Sequence, residues 1–179
     1  DLKDEVEKIV SEERMMKDVP KTINLVRNKI TPFIINANFK QNYIDSIMLQ
    51  ILFYYSALDL KIVVLTNETN AHKWDYLKYT PHCFSTDRKQ RFFATNENEI
   101  AQVSLYLEQE YDKRLSKHED ETKKSTHSGN LYKDFSEYYL IIIDDFIEIK
   151  NTSIVNRIIK SSLNVGFSGG EKKKNEILQ

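Results

Sequence analysis

Two hydrophobic patterns run along the chain, one typical of helices and one typical of buried strands. Residues 42 to 58 are apolar almost all round and too long for a strand, which predicts a helix packed on more than one side. Residues 1 to 19 predict an amphipathic helix that ends before Pro20. Its apolar stripe consists of Leu2, Val6, Ile9 and Met16.

Short apolar runs predict the strands. "TPFIINANF" reads as a buried strand, and further strands are expected at 60 to 66, 91 to 95 and 138 to 144, with another beginning in 163 to 168. Because these strands alternate with helices and several are apolar throughout, we expect a mostly parallel sheet covered on both faces. The predicted fold class is therefore a three-layer α/β fold.

Helices are expected between the strands. A short one precedes Pro81, and a longer one runs towards Leu115 with Asn96 or Asn98 as its cap. The last helix has an inner side formed by Ile154, Val155, Ile158 and Ile159.

The chain has the size of one domain, with 179 residues of which 40% are hydrophobic. Residues 116 to 136 are polar and charged and have no sustained period, so we expect a mobile surface loop there. We divide the chain into one domain over residues 1 to 168 and a tail of doubtful origin over residues 169 to 179.

Charge and composition restrict the partners. With 26 basic and 27 acidic residues there is no overall field that favours nucleic acid or an acidic membrane. The lone Cys83 cannot form an internal disulfide and suits a reducing compartment. No apolar run approaches the ~20 residues that span a bilayer. We expect a soluble domain that does not bind nucleic acid.

Two adjacent carboxylates, Asp144 and Asp145, end the apolar run "YYLIIIDDF". In a nucleotide hydrolase one such residue holds magnesium and the other, or a neighbour, polarises the attacking water. Alternatively, acidic residues at the carboxyl end of a strand simply begin a loop. Asp144 and Asp145 are thus the candidate catalytic residues, and Asp144 is the candidate magnesium ligand.

A phosphate-binding loop needs glycines that let backbone N–H groups converge, and none of the four glycines lies before Gly129. Laying GxxxxGK[ST] on "FIINANFKQ" puts Lys40 at the lysine position, but Ile34 and Phe39 replace the glycines and Gln41 replaces the hydroxyl. Their Cβ atoms would obstruct the phosphates. The favoured interpretation is a degenerate or absent nucleotide site, with Lys40 and Asp145 as the candidates for any ATP contact.

Histidines and aromatic residues add little chemistry. The four histidines form no short metal-binding pattern. Trp74, Tyr76 and Tyr79 are either part of a partner surface or packed against the sheet, and core packing is the favoured role.

The succession of "FIINANFKQNYIDSIMLQILFYYSALDLKIVVLTNE", "HKWDYLKYTPH" and "YYLIIIDDF" resembles the cytoplasmic part of the EssC/EccC ATPases of type VII secretion. These are FtsK/SpoIIIE-like membrane proteins, and the resemblance covers about residues 1 to 168. Its most specific piece is "KWDYLKYTPH", which follows a strand ending in "LTNE". The resemblance implies a P-loop NTPase-like (RecA/FtsK-like) fold and, within it, the membrane-proximal module that lacks a proper phosphate loop.

Such a module would lie on the cytoplasmic side of the bacterial cell membrane and couple the membrane part to the active ATPase modules during export of small proteins. Its implied partners are the neighbouring ATPase modules and the membrane subunits, and only segments outside this chain would enter the membrane. We expect no activity in this domain, although the parent protein resembles an ATPase. The alternative is an ATP-binding fragment of an active ATPase, FtsK-like or ABC/SufC-like, with ATP and magnesium as cofactors.

The tail "NVGFSGGEKKKNEILQ", residues 164 to 179, resembles instead the signature segment of the ABC ATPase SufC. The resemblance implies that Ser168, Gly169 and Gly170 lie at a helix amino terminus and face the terminal phosphate of ATP held by another subunit. In an ABC cassette, however, the signature precedes the acidic strand, and here it follows it.

Three explanations of the tail stay open: a join between unrelated segments, chance similarity, or an ABC half-site that acts on another chain. If the tail replaces a native strand, we expect the sheet to lose an element and to expose an unpaired edge.

Overall fold

The computed structural model describes five stretches of the chain: residues 30 to 33, 40 to 122, 135 to 144, 152 to 161 and 165 to 172. Helices and strands alternate along them. The elements are β1 (Ile30–Phe33), α1 (Lys40–Tyr54), β2 (Leu60–Leu65), α2 (Asp75–Lys78), β3 (Phe93–Ala94), α3 (Glu97–Thr122), β4 (Tyr138–Ile143), α4 (Ser153–Lys160) and β5 (Phe167–Lys172). Two 3₁₀ turns, Ala71–Trp74 and Pro81–Cys83, flank α2.

The strands form one sheet in the order β1-β5-β4-β2-β3, and every pairing is parallel. β2 and β4 pair along their whole length, from Leu60 with Tyr138 to Leu65 with Ile143. Their carboxyl ends therefore meet at one edge of the sheet, and the residues that follow, Thr66 and Asp144, come to lie side by side.

Each face of the sheet has its own hydrophobic core, because successive strand residues point to opposite faces. On one face, Val63 and Ile141 pack beneath α3 and α4. On the other face, Val64 and Ile142 pack beneath α1 and residues 71 to 83. The predicted three-layer α/β fold, with a parallel sheet covered on both faces, is confirmed.

Helix α1 differs from its prediction. Ile44, Met48 and Ile51 are buried at helical spacing against the sheet, whereas Leu49 and Phe53 on the outer side are exposed. Among the described residues this helix packs on one side, so the expectation of cover on more than one side is wrong for them.

The tail also differs from its prediction. β5 lies between β1 and β4, so residues 169 to 172 occupy an interior position of the sheet. The expectation that the tail removes an element from the sheet is therefore wrong. β5 also runs across position 168, where the predicted domain boundary was placed.

Helix α3 is longer than predicted, since it continues to Thr122 and includes the first residues of the predicted loop, 116 to 122. The remainder of that loop, residues 123 to 134, lies outside the described residues, as does the predicted helix over residues 1 to 19. In α4, Ile154, Val155 and Ile158 are buried as predicted, but Ile159 is largely exposed. No helix in the described stretches is long and apolar enough to cross a membrane.

Asn96, one of the two residues predicted to cap this helix, is the cap of α3. Its Oδ1 accepts a hydrogen bond from the backbone N–H of Glu99 at 3.1 Å. In return, the Glu99 carboxylate accepts the backbone N–H of Thr95 at 2.8 Å. This reciprocal pair satisfies backbone donors at the start of the helix and fixes where it begins.

Arg114 joins α3 to the residues that enter β5. The side chain is buried, and its Nη1 donates to the carbonyl oxygen of Val165 at 3.0 Å while Nε donates to Glu110 Oε1 at 2.9 Å. The guanidinium lies 4.8 to 5.1 Å from three aromatic ring centres, those of Phe135, Tyr139 and Phe167. These contacts stabilise a buried cation by hydrogen bonds and cation–π attraction together.

Gly166 makes room for this arginine. It has a positive φ of 89°, and a Cβ at this position would lie 2.5 Å from Arg114 Nη1. The glycine therefore satisfies both a left-handed backbone and a close approach of the guanidinium.

We expect Asn96→Ala to lower the free energy of unfolding by about 1 kcal/mol, because the cap of α3 is lost. Urea denaturation of the whole chain measures it. Asn98→Ala, an exposed position in the first turn, is the control and leaves stability within about 0.5 kcal/mol. Equal losses in the two variants would show that the cap contributes nothing.

We expect Arg114→Lys to cost about 2 kcal/mol, because an ammonium keeps the charge but cannot replace the buried bonds of the planar guanidinium. The matched control is Arg157→Lys, whose partner Asp112 is 2.5 Å away on a solvent-accessible surface. That change should cost under about 1 kcal/mol. Thermal and urea unfolding compare them, and an Arg114→Lys protein as stable as its control would contradict this role.

Candidate functional site

The acidic residue at the end of β4 lies inside the protein. Only 4% of Asp144 is exposed, and its backbone N–H donates to the carbonyl oxygen of Leu65 at 3.1 Å. Leu140 and Ile142 face the layer that contains α1, and two residues further on Asp144 faces the same side. The carboxylate thus lies beneath the layer formed by α1 and the segment that follows β2.

Trp74 is a direct partner of this carboxylate. Its indole Nε1–H donates to Asp144 Oδ2 at 2.9 Å, across 70 positions of sequence. The tryptophan is 1% exposed and packs in the same core as Ile44 and Met48. A hydrogen bond to a carboxylate in a buried setting is among the stronger ones in proteins. The prediction of core packing is confirmed for Trp74. Tyr76 and Tyr79 are 38% and 74% exposed, so that part of the prediction is wrong.

The chain after β2 turns at once and brings Trp74 back over the sheet edge. The Asn67 side chain accepts the backbone N–H of Asn70 at 2.8 Å, and the N–H of Lys73 donates to the Asn70 carbonyl at 3.0 Å. Asparagine side chains favour such tight turns because they bond to nearby backbone groups. The 3₁₀ turn that follows ends at Trp74 and carries its ring beneath α2.

The first turn of α1 contacts the same 3₁₀ turn. Gln41 Nε2 donates to the Lys73 carbonyl at 3.3 Å and to Asp45 Oδ1 at 2.8 Å. Burial, and after it the nearby Asp45 carboxylate, raises the pKa of the Tyr76 hydroxyl, which keeps it protonated at neutral pH. Residues 71 to 76 are thereby tied to the helix end where a phosphate loop would present its N–H groups.

Two buried polar atoms near this edge have no hydrogen-bond partner among the described residues. They are Gln41 Oε1 and Thr66 Oγ1. Thr66 follows β2 as Asp144 follows β4, so the two residues are neighbours by register. The edge is thus a small polar region that closes an otherwise apolar core.

The described part of this region contains one carboxylate, and magnesium coordination by Asp144 stays a prediction. The ion prefers six oxygen ligands and is held in proteins by one or two carboxylates together with substrate phosphates. Asp144 Oδ2 instead accepts the indole N–H, whose hydrogen carries partial positive charge where a cation would approach. The described stretches contain no group of three His, Cys, Asp or Glu side chains that could hold a metal ion. Asp144 in this arrangement is a hydrogen-bond acceptor inside the core.

The other predicted nucleotide contacts are only partly placed. Lys40 begins α1, but its side chain lies outside the described residues, and so does the whole of Asp145. Their approach across a pocket stays a prediction.

Ser168, the candidate serine of the ABC-like tail, lies away from Asp144. Ser168 pairs with Leu140 in the sheet, four residues before Asp144, which is about 13 Å along a strand. Gly169 and Gly170 pair with Ile141 and Ile142. All three residues lie in β5 and none begins a helix, so the helix amino terminus implied for them is wrong. The Ser168 hydroxyl is buried without a hydrogen-bond partner among the described residues.

Comparisons with known proteins identify the fold of this chain. No protein-family model and no curated protein matches the chain. Among solved structures, it is similar to Thermomonospora curvata EccC (ATPases 2 and 3) in complex with a signal sequence peptide, with a TM-score of 0.62 and 12% identity. The match covers 87% of this chain and 26% of that one, so this chain spans about a quarter of its length. The fold is P-loop NTPase-like.

We expect Trp74→Phe to lower the free energy of unfolding by about 2 kcal/mol, because the ring keeps its packing but a buried carboxylate loses a donor. A double-mutant cycle with Asp144→Ala isolates the pair, and urea unfolding measures all four proteins. Once Asp144 is absent, Trp74→Phe should cost about 1.5 kcal/mol less. Additive losses would mean that the two side chains do not interact.

Proposed function

We propose that this chain is a non-catalytic, ATPase-like module of a type VII secretion motor. In this role it couples the membrane part of the motor to active ATPase modules during export of small proteins. Its neighbours would be those modules and the membrane subunits, on the cytoplasmic side of a bacterial cell membrane.

The bond between Trp74 and Asp144 carries the non-catalytic part of this proposal. In an active NTPase, the carboxylate after the strand that corresponds to β4 serves magnesium, and the first turn of the helix that corresponds to α1 serves phosphate. Here the carboxylate accepts an indole N–H, and the helix side chain Gln41 bonds to the Lys73 carbonyl. Residues 73 and 74 therefore contact both the carboxylate and the first turn of α1.

The secretion context is supported by two independent lines. One is the fold shared with EccC, a protein whose described structure contains more than one ATPase. The other is the "KWDYLKYTPH" stretch, the most specific part of the sequence resemblance. Trp74 and His82 of this stretch are both structural, since His82 Nε2–H donates to the Tyr55 carbonyl at 2.9 Å. The stretch that carries the resemblance thus bonds to Asp144 through Trp74 and to the end of α1 through His82.

The alternative, an ATP-binding fragment of an active ATPase, requires a different arrangement. Lys40 and Asp145 would have to converge on phosphate, and Trp74 would have to leave Asp144. If Trp74 left, the buried carboxylate would lose a hydrogen-bond donor, which costs about 1 to 3 kcal/mol. Nucleotide binding would have to offset that cost.

We expect millimolar ATP with magnesium to leave the thermal unfolding midpoint of the chain unchanged. Lys40→Ala and Asp145→Ala should behave in the same way as the unaltered protein. A ligand at a hundred times its dissociation constant would add about 2.7 kcal/mol, which is readily measured. A rise in the midpoint that either substitution abolishes would overturn the non-catalytic proposal.

The non-catalytic proposal is also tested in the intact secretion protein. Lys40→Ala combined with Asp145→Ala should leave export unchanged, because neither residue then serves a nucleotide in this module. Loss of export by a protein that still assembles in the membrane would instead favour the ATP-binding alternative.

A further inference from the structure

The segment between α2 and β3 places cations on aromatic rings. The guanidinium of Arg91 lies 5.5 Å from the ring centre of Phe84 and 6.0 Å from that of Tyr79. Lys78 Nζ lies 5.8 Å from the same Tyr79 ring. A cation this close to a ring face is attracted by the negative charge of that face, which holds it in place. Tyr79 is 74% exposed and Arg91 is also exposed, so both groups are open to a partner.

A hairpin in the same segment adds two more cations. Arg88 and Lys89 lie at its exposed tip, where the Lys89 side chain is 85% exposed. Residues 78 to 91 contain four basic side chains and one acidic side chain, Asp87, whereas the whole chain has a net charge of −1. A hydrogen bond from the Ser85 hydroxyl, at 2.6 Å, keeps the pKa of the Asp87 carboxyl below its ordinary value. The segment is therefore locally basic. The Arg91 surface consists of Lys78, Tyr79, Phe84, Arg88, Lys89 and Arg91.

The hairpin has a fixed shape. The backbone N–H of Ser85 donates to the Gln90 carbonyl at 2.9 Å, and that of Arg88 donates to the Ser85 carbonyl at 2.8 Å. Phe84 and Arg91 form an antiparallel bridge at its base. Arg88 has a positive φ of 59°, a left-handed conformation that suits a tight turn. A partner would therefore meet a surface that is already formed, which lowers the entropic cost of docking.

The Arg91 surface lies at the amino edge of the sheet, at the opposite end of the strands from Asp144. Arg91 precedes β3, and the Thr86 hydroxyl of the hairpin donates to the carboxylate of Glu137, which precedes β4. The Glu137 carboxylate also lies 3.6 Å from Lys61 Nζ, so its charge is already paired. This surface and the candidate nucleotide region are therefore separate.

We propose that the Arg91 surface binds an acidic segment of a partner protein. A guanidinium donates two parallel N–H bonds to one carboxylate, and a ring beside it offers contact to an apolar neighbour of that carboxylate. Arginine and tyrosine are enriched where protein interfaces gain most of their binding energy. The proposal goes beyond the proposed function and holds whether or not a nucleotide binds at the other edge.

Charge favours a protein partner over a polyanion. Nucleic acids and anionic membranes are bound through an extended positive field that many cations supply together. The net charge of −1 does not supply such a field, and Asp87 stands among the cations of the hairpin. A few cations set among aromatic rings match a few carboxylates set among apolar side chains.

Fluorescence anisotropy with the whole chain tests the chemistry of the partner. The probe is a short fluorescein-labelled peptide of alternating glutamate and leucine, and its control has glutamine in place of glutamate. The glutamate peptide should bind about tenfold or more tightly than the glutamine peptide, because only carboxylates form charge-assisted hydrogen bonds with the guanidinium. Added salt should weaken the binding, since the surface is exposed.

Two charge-removing substitutions locate the binding. Arg91→Gln should weaken the glutamate peptide by about tenfold or more. Lys160→Gln is the matched control, because Lys160 is exposed on α4, on the face of the sheet opposite to α2. It should change the affinity by less than about twofold, since distant exposed charges are screened. Thermal unfolding checks that both variants fold.

Amide shifts of the unaltered chain in a ¹⁵N-correlated NMR spectrum provide a readout that needs no variant. The glutamate peptide should shift residues 78 to 91 and leave α4 unchanged. No binding at millimolar peptide, shifts confined to other residues, or equal weakening in the two variants would overturn the proposal. Tighter binding to single-stranded oligothymidine or to phosphatidylserine vesicles than to the peptide would overturn it in favour of a polyanion or a membrane surface.

Discussion

A carboxylate inside a protein needs donors, because its charge and lone pairs have lost water. Asp144 is in this position, at the end of a central strand and beneath a helix layer. The indole N–H of Trp74 meets that need, and the tryptophan can do so only if the chain after β2 folds directly back over the edge of the sheet. The path of residues 66 to 83 brings the indole to this carboxylate, and Trp74 packs there with Ile44 and Met48 of α1.

The same contact bears on whether the carboxyl edge of the sheet can bind a nucleotide. A P-loop NTPase-like fold brings a helix amino terminus and a strand-end carboxylate close together, which is why such sheets bind nucleotides at their carboxyl ends. In this chain Ile34 and Phe39 stand at the positions of the phosphate-loop glycines. These sequence positions and the hydrogen bond of the carboxylate are consistent with each other, and both support the proposed non-catalytic module.

Sequence patterns predicted the layers well and the site only in part. β2 and β4 are continuous apolar runs, and Asn96 is followed by Glu99 in a capping arrangement, so each was visible locally. The partner of Asp144 was not, since it depends on β2 lying next to β4, and a sequence does not give strand order.

The beginning of β5 was predicted, but its continuation through residues 169 to 172 was not. Gly169 and Gly170 disfavour a strand by themselves, and pairing with neighbours on both sides outweighs that preference. The outer side of α1 was correctly read as apolar, but Leu49 and Phe53 on that side are exposed.

The single tryptophan allows a direct measurement. The chain should show one indole N–H signal in a ¹⁵N-correlated NMR spectrum, and its hydrogen exchange can be followed with and without ATP and magnesium. The account predicts slow exchange and a signal that nucleotide does not move. Fast exchange in a folded protein, or a signal that shifts and loses protection as ATP and magnesium are added, would contradict it.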